Sequence, residues 1–114
     1  MPYTKIINIH CLKTYNVNGK DSVTVNLIDE LIDKPNIFTF DADDMEANNI
    51  REVNGGLEWT GQGVMLKLHL KEPSLNLGSG YIRVDSINKG ELKRTFNNKN
   101  KDYEYEVSYE VTDH

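Results

Sequence analysis

Cysteine, histidine and clustered basic residues are all scarce in this chain, and each scarcity closes off a class of function. Cys11 is the only cysteine among 114 residues, so no intrachain disulfide can form. It lies in an apolar strand pattern, which marks the thiol as a small core hydrophobe rather than a nucleophile. The 3 histidines include no pair at metal-ligand spacing and have no cysteine partner nearby, which argues against a zinc site. His10 and His69 both fall in strand patterns, where cross-strand pairing can bring them together.

Basic residues are outnumbered, 13 Lys and Arg against 18 Asp and Glu, for a formal charge of −5. That balance argues against a nucleic-acid backbone as partner and gives no basis for an unaided hold on anionic lipid. No apolar run reaches membrane-spanning length, and the opening MPYTKIINIH lacks the charged start and continuous apolar stretch of a signal peptide. The expectation is a cytoplasmic protein, or one exported without a cleaved signal peptide, with no membrane span. Catalytic signatures are missing as well. There is no nucleophile elbow, and Gly55, Gly56, Gly61 and Gly63 lie between strand patterns rather than ahead of a helix, whose positive end would let a glycine loop cradle phosphate. The chain reads as non-enzymatic.

What the sequence does contain is two-residue alternation. Tyr103, Tyr105, Val107, Tyr109 and Val111 alternate without exception against Glu104, Glu106, Ser108, Glu110 and Thr112, which makes a strand with one buried and one wet face. Val64, Leu66, Leu68 and Leu70 alternate with Met65, Lys67, His69 and Lys71, and Val23, Val25 and Leu27 with Thr24 and Asn26. In the first strand the same rule puts Ile7, Ile9 and Cys11 on one face with Tyr3 and Lys5, and Ile6 and Leu12 on the other. Asn16, Asn18, Gly19 and Asp21 form a polar turn. Asn54-Gly55-Gly56 predicts a hairpin between residues 50–53 and 57–60. The stretch DADDMEANN, residues 41–49, reads as an ordered loop or a single helical turn, and residues 72–80 as a loop before a strand at 81–84. Seven to eight strands at spacings of roughly 8 to 12 residues predict an all-β antiparallel β-sandwich, with a barrel as nearest competitor. At this length the whole chain, 1–114, is one domain.

Two stretches carry a family resemblance. CLKTYNVNGKDSVTVNLID leads a strand into a loop with Gly19 and Asp21 and on into a second strand. LHLKEPSLNLGSGYIRV ends a strand in Glu72 and resumes after a polar loop with Gly78. With the closing tyrosine- and valine-rich strand, this order resembles the synaptotagmin-type calcium-and-lipid-binding β-sandwich, the C-two domain, and more closely bacterial domains of that shape. The resemblance implies a C-two-like fold and calcium held between those two loops. Calcium takes about six to eight oxygen ligands. The loops offer Asp21 and Glu72 as the metal candidates, helped only by amide and hydroxyl oxygens, so the reading is a sandwich without bound calcium or other cofactor.

The remaining candidates are loop residues. Asp41, Asp43, Asp44 and Glu46 place four carboxylates within six residues, which suits a metal site or a patch for a basic partner as well as a solvated turn. Trp59 can stack on a sugar or fill a partner's pocket, or else belong to the core. Together these predict a recognition or interaction module whose loops, at 16–21, 41–49 and 72–80, contact a protein or glycan. The alternative is a structural or secreted-effector subunit that pairs with its own copies through sheet edges.

Overall fold

A computed structural model describes residues 2–31, 37–58, 65–73 and 75–113. Eight strands follow in order: β1 (Pro2–Lys13), β2 (Asp21–Ile28), β3 (Ile37–Met45), β4 (Ile50–Glu58), β5 (Met65–Glu72), β6 (Leu75–Arg83), β7 (Leu92–Asn97) and β8 (Glu104–Asp113). They form two four-stranded antiparallel sheets with orders β4-β1-β8-β7 and β3-β2-β5-β6. Among the described residues no strand joins the two sheets, so the eight strands make a sandwich and not a barrel. No helix occurs among the described residues.

The alternation rule works where strands are regular. Tyr105, Val107 and Val111 of β8 fill the space between the sheets from one side, and Val23, Val25 and Leu27 of β2, beside Leu68 and Leu70 of β5, fill it from the other. Each such side chain contributes about 1.5 to 3 kcal/mol by leaving water. The rule fails in β1. Ile6, Ile9 and Cys11 are buried together with Thr4, whereas Ile7 is only half-buried. The pairing of β1 with both neighbours shifts between Ile6 and Asn8. One residue inserted into a ladder moves every later side chain to the opposite face, so Ile6 and Ile9 end up on the core side.

Three expected loops are strand instead. Asn54-Gly55-Gly56 makes no hairpin: β4 runs through it, with Asn54 at φ 50° where the ladder to β1 is irregular. Gly56 serves another purpose, since a Cβ there would lie 1.8 Å from the Thr4 carbonyl oxygen. Only glycine lets β4 approach β1 that closely. Residues 41–45 extend β3, with Ala42 and Met45 buried between exposed aspartates, and only residues 46–49 turn. Local acidity resembled a helix start, but the apolar partners at 42 and 45 pack as strand residues. Likewise β6 begins at Leu75, which pairs with Glu72, so residues 75–80 of the expected loop at 72–80 are sheet. His10 lies on β1 and His69 on β5, in different sheets, so pairing does not bring them together. Val64 lies outside the described residues.

Candidate functional site

Strands alternate in direction along the chain, which gathers residues 14–20, 46–49 and 98–103, with Pro73 at the end of β5, at one end of the sandwich. The base of the 14–20 loop is built on Asp21, the first residue of β2, which is only 1% exposed. Its Oδ2 accepts the backbone N–H of Tyr15 at 2.7 Å and the hydroxyl of Tyr105, and its Oδ1 accepts the backbone N–H of Asn16 at 2.9 Å and Asn16 Nδ2 at 2.9 Å. A buried carboxylate this fully supplied with donors fixes the chain leaving β1 in one path. Gly19, at φ 79°, closes the loop by donating to the Asn16 carbonyl at 3.0 Å, and the Lys20 N–H donates to Asn18 Oδ1 at 3.0 Å.

Tyr105 and Cys11 complete the buried base. Burial first, and the hydrogen bond to Asp21 second, push the Tyr105 phenol well above its ordinary value. Burial likewise pushes the Cys11 thiol up, which leaves it a protonated core group and not a reactive thiolate.

The two expected metal candidates do meet, but across a donor. Asn16 Nδ2 donates to Asp21 Oδ1 and to Glu72 Oε2, both at 2.9 Å, and to the Lys20 carbonyl at 3.1 Å. Glu72 Oε2 also accepts the Ser22 N–H at 3.3 Å. The amide nitrogen thus stands between the carboxylates where a cation would have to sit, and turning the amide over would set its oxygen against three acceptors. Among the described residues no group of three or more His, Cys, Asp or Glu could hold a metal ion. Two carboxylates already loaded with N–H donors do not fit a calcium ion.

Above this rigid base the loop carries an apolar tip. Val17 is 108% exposed and Tyr15 39% exposed. The Tyr15 ring meets Tyr103 edge-on, centroids 6.3 Å apart, and Tyr103 is anchored by its hydroxyl donating to the Leu77 carbonyl at 2.7 Å. Lys13, Thr14, Tyr15, Asn16, Val17 and Asp102 line an open cleft of about 630 Å³. Lys13 Nζ donates to the Lys101 carbonyl at 2.9 Å, tying the end of β1 to the 98–103 connection. Reading the sequence as a polar turn overlooked Tyr15 and Val17. The available signal was an aliphatic residue between two asparagines, where nothing local can bury it.

The other candidates lie elsewhere. Asp41 stands on the outer face of β3 and accepts the Thr24 hydroxyl at 2.6 Å. Asp43 and Asp44 occupy the irregular part of β3, with Asp44 at φ 55° and the Asp43 carbonyl accepting Arg51 Nη2 at 2.9 Å. Only Glu46 belongs to the loop end. Trp59 lies outside the described residues. At the opposite end, Glu30, Leu31, Met65 and Tyr81 line a cleft of about 320 Å³. There Glu30 accepts the Tyr81 hydroxyl at 2.8 Å and pairs with Lys67 at 3.3 Å.

No family model and no curated protein matches the sequence. Among solved structures, a C2 domain of plant extended synaptotagmin 1, its domain A, is similar, with a TM-score of 0.63 over 99% of this chain and 94% of that one, at 9% identity. The fold is that of a C2-like β-sandwich. No helix among the described residues is long and apolar enough to cross a membrane.

Proposed function

We propose that the chain is a non-enzymatic protein-recognition module that acts through its 14–20 loop end without bound calcium. The observation that carries this reading is the contrast within one loop, a fully exposed Val17 raised on a base locked by Asp21. An apolar side chain held clear of the protein gains by burial in a partner, and a loop already ordered loses little entropy on binding. The calcium-free part of the reading rests on the Asn16 amide, which supplies the donors that a cation would otherwise replace.

The test is affinity capture from native extract with the unaltered chain and with Val17→Asp, in chelator throughout. The expected result is a protein retained by the first and lost from the second, with both baits melting alike. Retention of every captured protein by Val17→Asp, or capture that begins only when calcium is added, contradicts the reading.

A further inference from the structure

Two sheets of four strands leave four edges, and they are not equivalent. The ladders of β3, β4 and β6 each contain a register shift against their neighbour. The ladder of β7 to β8 contains none, from Leu92 opposite Tyr109 to Asn97 opposite Glu104. Bulges twist an edge away from further pairing, and among the described edge strands β7 is the one whose whole ladder is regular. Among the described residues no backbone hydrogen bond beyond the sheet reaches residues 92–97.

Charge divides the molecule along the same line. Residues 37–58, which span the β3 and β4 edges, hold six carboxylates and one cation, Arg51. Residues 75–103, which span the β6 and β7 edges, hold six cations and three carboxylates. Lys93 is exposed on β7, and Arg94 points inward to donate to the Tyr81 carbonyl. Those charges oppose pairing of β7 with another β7 but favour an acidic strand.

We propose that the chain self-associates head to tail, the β7 edge of one copy pairing antiparallel with residues 37–42 of β3 in the next. That stretch pairs with β2 without a shift from Ile37 to Ala42 and matches the six residues of β7 in length. With Lys93 set opposite Asp41, Thr95 falls opposite Thr39. Both pairs lie on the outer faces and both are favourable across a ladder. The same register covers Ile37, which is 57% exposed in the single chain. Because the two surfaces differ, the contact is heterologous and does not stop at a dimer.

Sedimentation of the purified chain with rising concentration, at low and at high salt, tests this. The expected result is a mass that grows past the dimer at low salt and falls at high salt. Lys93→Glu or Asp41→Lys alone weakens association by roughly tenfold, and mixing the two variants restores it. Val17→Asp leaves the association unchanged, which separates this proposal from the loop-end reading. A monomer under all conditions, a closed dimer, or charge variants that associate as before each overturn the proposal. A monomer that instead binds an acidic peptide through Lys93 also overturns it, and assigns β7 to a foreign strand.

Discussion

Asp21 and Glu30 each accept a tyrosine hydroxyl, and their surroundings make them opposites. Asp21 receives Tyr105 between the sheets, where the acid is 1% exposed and the phenol 0%. Glu30 receives Tyr81 at the far end of the sandwich, where the Tyr81 residue is 44% exposed. The Tyr81 hydroxyl first, and Lys67 after it, hold the Glu30 carboxyl below its ordinary value. Water can replace either of those partners. Around Asp21 water has no access, so a lost partner there leaves buried N–H and O–H groups unpaired. The same pair of functional groups is therefore a keystone in one place and a surface contact in the other.

Breaking the buried member should show the largest effect. Asp21→Ala strands the Tyr105 hydroxyl and the Tyr15 and Asn16 amides, and denaturant titration should report a loss of about 3 kcal/mol, together with faster proteolysis within residues 14–20. Tyr105→Phe removes one partner from the same carboxylate and should cost about 1.5 kcal/mol.

Alkaline titration sharpens the comparison further. Tyr105 is held above its ordinary value, so its contribution is complete below that value and is lost as pH rises past it. Stability should fall by about 1.4 kcal/mol per pH unit above about pH 10, and Tyr105→Phe should remove that part of the slope. The Cys11 thiol and the Tyr103 phenol, both raised chiefly by burial, act in the same direction, the thiol from about pH 9 and the phenol from about pH 10 upward. At the exposed member, Glu30→Gln should leave the melting midpoint unchanged within error. A loss there as large as that of Tyr105→Phe would show that burial does not separate the two pairs.

Strand β2 was legible because alternation and burial coincide in it, with Val23, Val25 and Leu27 buried, whereas in β8 Ser108 on the expected wet face is buried as well. What alternation cannot show is an inserted residue. The shift at Ile7 becomes visible only when β1 lies between β4 and β8. Glycine misled for a related reason. Gly56 answers to the Thr4 carbonyl, a neighbour 52 positions away in sequence, while the residues beside it spell a turn. Asp41 to Met45 carry local helix signals that the burial of Ala42 and Met45 overrides. At the loop end, the sequence offers Asp21 and Glu72 as metal candidates, and in the fold both accept hydrogen bonds from one Asn16 amide. Their use as acceptors depends on Asn16, whose amide direction no sequence pattern encodes.

Amide hydrogen exchange, read residue by residue in the presence of chelator, tests the locked loop most directly. Slow exchange is expected at Tyr15 and Asn16, whose N–H groups donate to Asp21, with fast exchange at Val17 and no change when calcium is added. Exchange at Tyr15 and Asn16 as fast as at Val17, or protection that arises only with calcium, would contradict the locked loop.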